Sequence, residues 1–137
     1  MKTNNNIEPT EKLQTAALQK APAIDLHRLI RCLEEVEGGQ WNWPGGKLRV
    51  SRAFWDDHRL PLYNYRQATD PTIAREVVAR GLTHYIGELT HLGHEPTVWL
   101  LAKCYNRGWN GAMGHKDERS EYADRVVNLY NDKGFNP

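Results

Sequence analysis

The sequence has no long apolar run and almost no net charge. No stretch approaches the roughly 18 consecutive apolar residues that a membrane-spanning helix needs, and residues 1–21 lack the apolar segment of a secretory signal. We therefore expect a soluble, unexported chain with no stable membrane insertion. Lys and Arg total 18 against 17 Asp and Glu, a formal net charge of +1. This balance provides no overall field for binding nucleic acid.

Cysteine is also scarce, with only Cys32 and Cys104 in the chain. Two cysteines are too few for a disulfide scaffold, and apolar neighbours in predicted helices favour buried free thiols over a bridge between packed helices. Among the six histidines, His91 and His94 are close in sequence, but their Gly-Pro surroundings predict a turn. No cysteine or third acid is placed to complete a ligand shell. The sequence therefore predicts no metal and no cofactor.

The 137 residues are enough for one domain with its own core. Residues 1–21 are polar and contain an Asn run, which predicts a flexible arm or a short helix, and the single domain is expected over 22–137. A first amphipathic helix should begin after the N-cap Asp25 and end at Gly38 and Gly39. Its apolar face consists of Leu26, Leu29, Ile30, Leu33 and Val36.

The rest of the chain predicts a mainly helical fold. Residues 40–52 contain a Pro-Gly-Gly turn and the alternating run Lys47-Leu48-Arg49-Val50, which indicate a small β-hairpin or an extended loop. A short helix is expected over 53–58, and a long one from the Asp70 cap and Pro71 to about residue 89. The segment 97–106 is apolar almost all round and predicts a buried central helix. A glycine-rich loop over 107–115 and a last amphipathic helix near 122–130 should complete the domain.

Glu37 occupies an unusual place on the first helix. At about 100° per residue, Glu37 falls within the apolar arc, whereas Glu35 faces solvent and Glu34 lies on the margin. Burial and the negative end of the helix dipole should both raise its pKa. A carboxylic acid that keeps its proton near neutral pH is suited to be the general acid of glycoside cleavage. Alternatively, the helix ends earlier and Glu37 is a solvent-facing loop residue.

Four strings in order, EVEGG, GKLRVSRAFWDD, AKCYNRGWNG and SEYADRVVNLY, resemble the lysozyme-like superfamily, and most closely its lytic transglycosylases and goose-type lysozymes. The resemblance covers roughly residues 23–130. It implies an α+β lysozyme-like fold, a helical bundle around a buried central helix with a small, shortened β-hairpin or loop lobe. It also implies that peptidoglycan glycan strands are the partner and that the MurNAc-GlcNAc β-1,4 bond is cleaved. Such a chain would be cytoplasmic until released, or associated with a virion.

The resemblance also implies roles for individual residues. Glu37 matches the catalytic acid, Tyr105 and Asn106 match a Tyr-Asn pair near that acid, and Arg49 stands where the family commonly has glutamine. Apart from the resemblance, Trp41, Trp43 and Trp109 border glycine-rich turns, where exposed aromatic rings could stack on sugars. Tyr105 and the tryptophans could instead be core residues, and Asn106 could cap a helix.

Two questions stay open from the sequence. The enzyme could be a transglycosylase, in which the substrate's own acetamido group assists, or a lysozyme, in which water attacks. Asp56 and Asp57 are the nearest candidates for a second carboxylate, although adjacent acids are typical of a solvated face or a helix cap. Because of Arg49 and the shortened lobe, the alternative function is a non-catalytic glycan-binding or structural module derived from the same fold.

Overall fold

The computed structural model describes residues 23–115 and 117–137, so the predicted arm at 1–21 lies outside the described residues. Within these ranges the protein is all α, with five α-helices, one 3-10 helix and no strand. None of these helices is long and apolar enough to cross a membrane. The elements are α1 (Leu26–Glu37), α2 (Arg52–His58), the 3-10 helix (Tyr65–Thr69), α3 (Pro71–His91), α4 (Val98–Gly114) and α5 (Glu121–Tyr130).

The predicted helix boundaries are confirmed where capping residues set them. The Asp25 carboxylate accepts a hydrogen bond from the backbone N–H of Arg28 at 3.1 Å and caps α1. Gly38 ends α1 with a φ of 67°, a left-handed conformation that favours glycine. Asp70 caps α3, and Pro71 is its first residue, as expected from the missing proline N–H.

The first half of α4 contributes a buried stretch to the core, as its apolar sequence predicts. Residues 101–104 are all fully buried, α4 packs against α3 and α5, and α1 packs against the same two helices. Lys103, the one formal charge in this half, donates hydrogen bonds to the backbone carbonyls of His115 and Glu118. Its ammonium also lies 5.0 Å from the centroid of the Trp99 ring. These contacts solvate a buried charge that would otherwise destabilise the core.

The two cysteines are buried and free, which confirms the prediction of unpaired thiols. Burial raises the pKa of Cys32 to about 11 and that of Cys104 to about 11. Thiols this weakly acidic are poor nucleophiles near neutral pH.

Of the two alternatives predicted for residues 40–52, the β-hairpin is wrong for the part of the chain that the structure describes, and the segment is a loop. Residues 41–49 form successive turns, in which the backbone N–H groups of Gly46 and Arg49 bond to the carbonyls of Trp43 and Gly46. The alternation still predicts burial correctly, because Leu48 and Val50 are 0 % and 1 % exposed. Two glycines and Arg49 have positive φ, however, and this backbone does not run as an extended strand.

The glycine-rich loop predicted over 107–115 is also wrong. The chain stays helical to Gly114, with a kink at Gly108, where φ is 79° and ψ is 164°. Ala112 is fully buried, and Trp109 and Met113 pack against the core one helical turn apart. Packing of this apolar face therefore outweighs the low helix propensity of glycine.

An ion pair connects α1 to α3 in the protein interior. Glu34 is 2 % exposed, and Arg75 binds both of its carboxylate oxygens, with nitrogen to oxygen distances of 2.7 and 3.1 Å. The Arg75 guanidinium also lies 5.2 Å from the centroid of the Trp41 ring. The helical wheel placed Glu34 only at the margin of the apolar face. The pattern of α1 alone could not predict its full burial, because its partner Arg75 is 41 residues away in sequence.

Breaking this ion pair on one side should destabilise the protein strongly. Arg75→Met leaves the buried Glu34 carboxylate with only Arg31, whose Nη1 lies 3.6 Å from Glu34 Oε1, and we expect a loss of up to about 3–5 kcal/mol in the free energy of unfolding. Urea unfolding followed by circular dichroism measures this loss. Arg66→Met, at an exposed site, is the control and should change stability by less than about 0.5 kcal/mol. An Arg75→Met variant as stable as this control would contradict the prediction.

Candidate functional site

A cleft of about 1010 Å³ opens between the end of α1, the segment 49–58, α3 and the second half of α4. Its volume lies at the upper end of the range of about 300–1,000 Å³ that is typical of ligand sites. Five residues singled out in the sequence line it together: Glu37, Arg49, Tyr105, Asn106 and Trp109.

Glu37, the last residue of α1, lines the cleft and is half-buried. The Tyr122 hydroxyl, on α5, donates a hydrogen bond to its Oε2 at 2.7 Å. Burial raises the pKa of Glu37 above its ordinary value, while the hydrogen bond from Tyr122 and the positive charge of Arg49 partly offset that effect. The predicted direction of the pKa shift and burial as a cause are therefore confirmed. The carboxyl group keeps its proton to a higher pH than a solvated glutamate.

Tyr105 lies beside the cleft and also belongs to the packed interior. Its hydroxyl donates a hydrogen bond to the Leu48 carbonyl oxygen at 2.7 Å, and its ring meets Phe54 edge to face at 5.2 Å. Burial raises the pKa of Tyr105 well above its ordinary value, with the nearby charge of Glu37 as a further cause. The side chain is therefore fixed in place as a neutral group.

Arg49 is held in a left-handed backbone conformation, with a φ of 49°. The residues on both sides are buried, and tyrosine hydroxyls bind their carbonyls: Tyr105 binds Leu48 at 2.7 Å and Tyr65 binds Val50 at 2.6 Å. Arg49 itself is exposed and lines the cleft. These restraints determine where its side chain leaves the backbone.

Trp109 enters the cleft wall directly after the kink at Gly108. Its ring stacks on Tyr85 with a centroid distance of 5.7 Å and an interplanar angle of 23°. Asn106 is exposed to the cleft from within α4, so it does not cap the end of that helix. Trp43 is 42 % exposed but does not line the cleft, so the structure does not bring it together with the other predicted residues.

The cleft is also lined by Asp57, one of the two candidates for a second carboxylate, and by His58, His84 and Glu88, which the sequence did not single out as site residues. His58 is near His84, with ring centroids 5.5 Å apart, and burial together with that neighbour lowers the pKa of His58. Asp56 instead lies on the surface within 4.0 Å of Arg52 and 3.9 Å of Arg59. The spacing of His84 and Glu88 along one helix could have identified them as neighbours. Their position beside the α2 residues Asp57 and His58 could not be predicted, because it depends on how the two helices pack.

The titratable residues of the cleft do not assemble into a metal site. No group of three or more His, Cys, Asp or Glu side chains in the described part of the chain could hold a metal ion. No protein-family model, curated protein or solved structure matches the chain. The function must therefore be inferred from the side chains of the cleft.

Glu37→Gln should change stability in a pH-dependent way. Because the pKa of Glu37 is raised on folding, the native state holds its proton more tightly than the unfolded state. Its contribution to stability is therefore complete at low pH and is lost as the pH rises through the native pKa. Relative to wild type, Glu37→Gln should be more stable at pH 7 than at pH 4, measured by urea unfolding at both values.

The control for this measurement is Glu95→Gln, at an exposed site away from the cleft. Its stability relative to wild type should be nearly the same at both pH values. If the stability of Glu37→Gln relative to wild type decreased as the pH rose from 4 to 7, the pKa of Glu37 in the native state would be lowered, which would contradict the prediction.

Proposed function

We propose that this chain cleaves the β-1,4 bond between N-acetylmuramic acid and N-acetylglucosamine in peptidoglycan, as a lytic transglycosylase or a lysozyme of lysozyme-like fold. Glu37 is the general acid. The observation that carries the proposal is a carboxyl group with a raised pKa that lines a large cleft. General acid catalysis needs such a group, because it must still hold its proton when it meets the glycosidic oxygen.

The hydrogen bonding of Glu37 supports this role. Tyr122 binds Oε2 at 2.7 Å, and no other hydrogen bond to the carboxyl group comes from a described residue. Oε1 is therefore the oxygen from which a proton passes to the leaving sugar hydroxyl. The Tyr122 contact also limits rotation of the carboxyl group, which helps to hold the donor in one orientation.

The reaction then follows one of two routes, both of which use Glu37 a second time. In the transglycosylase route, the acetamido oxygen of the substrate stabilises the cationic anomeric carbon. Ionised Glu37 takes the proton from the sugar's own 6-hydroxyl, whose oxygen bonds to that carbon and gives a 1,6-anhydro ring. In the lysozyme route, Glu37 deprotonates a water molecule that attacks the same carbon and gives a reducing end.

The positions of the other cleft carboxylates favour catalysis by one acid. Asp57 also lines a second, smaller pocket together with His58 and His84, and Glu37 does not line that pocket. Asp57 therefore lies toward a different part of the cleft from Glu37. This separation supports assistance from the substrate over a mechanism with two closely spaced carboxylates.

A non-catalytic glycan-binding module is the second candidate. Two observations favour it: the positive charge of Arg49 acts against the raised pKa of Glu37, and residues 41–49 form turns with no β-lobe. A binding module would use the aromatic and amide side chains of the cleft without any proton transfer.

Glu37→Gln should abolish the clearing of purified cell walls. Loss of a general acid slows cleavage by about 10²- to 10⁴-fold, and the rate is measured as the fall in turbidity. The matched control is Glu35→Gln on the same helix, whose carboxylate is exposed and faces Lys47 at 3.3 Å. This control should clear cell walls at nearly the wild-type rate.

Equal clearing by wild type and Glu37→Gln, or none by either, would contradict the catalytic proposal. Glycan binding without clearing by wild type would instead support the binding module. Mass analysis of the released sugars separates the two catalytic routes, because anhydro ends are lighter than reducing ends by one water molecule.

A further inference from the structure

We infer that Arg49 determines the substrate specificity of the cleft by binding a carboxylate on the glycan next to the bond that is cleaved. This carboxylate is the free lactyl group of muramic acid units that carry no peptide. The inference rests on the proposed function and names the class of substrate for that site: peptide-free glycan strands.

The backbone around Arg49 is built to project this side chain into the cleft. A non-glycine residue with a φ of 49° is uncommon, and such strain persists only where the surroundings enforce it. Here the surroundings are the buried Leu48 and Val50, whose carbonyls accept hydrogen bonds from Tyr105 and Tyr65. Behind the segment, a Cβ added to Gly39 would meet the Arg49 Cγ at 2.9 Å, so the Arg49 side chain runs close against the backbone that follows Glu37. These contacts therefore hold the backbone and the first side-chain carbons of Arg49 close to Glu37.

The Arg49 guanidinium has no direct partner among the described residues. It is close enough to Glu37 to influence the pKa of that carboxyl group, yet it forms no ion pair within 4.0 Å and no hydrogen bond with it. The other arginine of the cleft, Arg107, is neutralised by Glu118 at 2.9 Å and bonds to the carbonyl of Arg119 at 3.0 Å. Arg49 is therefore the cleft arginine that remains available for an anionic ligand.

The planar fork of a guanidinium fits a carboxylate with two parallel hydrogen bonds. In muramic acid the lactyl group is attached to C3 of the same sugar ring whose C1 is attacked in the reaction. When no peptide is attached, this group ends in a carboxylate, and when a peptide is attached the same carbon belongs to a neutral amide. At the lactyl carbon, an arginine near Glu37 therefore meets a negative charge only on peptide-free strands.

The carboxylates of Asp57 and Glu88 do not oppose this assignment. Asp57 also lines a second pocket together with His84, and neither Glu37 nor Arg49 lines that pocket. Glu88 lies on α3 one helical turn after His84. Asp57 and Glu88 are therefore grouped around His84, whereas the Arg49 side chain runs beside Gly39, which follows Glu37 closely in sequence.

The test compares two forms of one substrate. Peptide-free glycan strands are used with their lactyl groups either as free carboxylates or converted to primary amides. For wild type we expect kcat/KM to be at least about tenfold higher on the carboxylate form, mainly through a lower KM, because hydrogen bonds to charged groups are the stronger ones. Arg49→Gln should reduce this preference to about one, and Arg49→Lys should retain part of it because the charge stays and the fork is lost.

Arg66→Gln is the matched control, since it removes the same charge at an exposed position outside the cleft and should keep the wild-type preference. Equal kcat/KM of wild type on both forms, or an unchanged preference in Arg49→Gln, would overturn the inference while leaving cleavage by Glu37 intact. Circular dichroism on each variant ensures that the comparison is between folded proteins.

A binding measurement separates this inference from the proposed function. Glu37→Gln is titrated with short strands of either form by calorimetry, and tighter binding of the carboxylate form that disappears in Glu37→Gln/Arg49→Gln supports the role of Arg49. If wild type cleaves neither form and this difference in binding persists, the proposed function fails and the specificity of Arg49 stands. Equal binding of both forms overturns that specificity.

Discussion

The buried ion pair between Glu34 and Arg75 holds the last turns of α1 against α3, and the cleft depends on that restraint. One helical turn later, Tyr122 binds Glu37 from α5, so neighbouring turns of one helix are attached to two different partners. Burial of a carboxylate at either position costs free energy, but the two carboxylates have different hydrogen-bond partners. Glu34 receives a bidentate cation and is structural, whereas Glu37 receives only one neutral donor and retains a raised pKa.

Tyrosine hydroxyls take the place that strand pairing would have in a β-lobe. The segment before α2 has no strand partner among the described residues, and its carbonyls at Leu48 and Val50 are satisfied by Tyr105 and Tyr65. These bonds reach across the fold, since their partners are 57 and 15 residues apart in sequence. A segment of turns thereby gains the rigidity that a binding surface needs.

Local patterns predicted the elements whose causes are local. The Asp25 and Asp70 caps, the Gly38 terminus, the apolar face of α1 and the buried start of α4 depend on residues within a few positions of one another. The wheel position of Glu37 belongs to the same class, because burial on a helix follows from spacing. The superfamily resemblance brought Tyr105 and Asn106 to attention, and both line the same cleft as Glu37.

The errors arise where distant residues decide the outcome. The burial of Glu34 depends on Arg75, and the presence of Asp57 and His58 in the cleft depends on how α2 meets α3. The sequence predicts a glycine-rich loop over 107–115 because helix propensity is local, whereas the apolar contacts that keep Trp109, Ala112 and Met113 helical are with distant residues of the core.

The kink at Gly108 divides α4 into an interior part and a part that borders the cleft. Residues 101–104 must match the volume of the core, whereas after Gly108 the chain presents Ala112 to the core and Asn110 and Gly111 to the cleft. Changes of shape at Asn110 and Gly111 can therefore accumulate at little cost to folding, so the contour of this wall is free to diverge between descendants of the chain while the bundle beneath it stays the same.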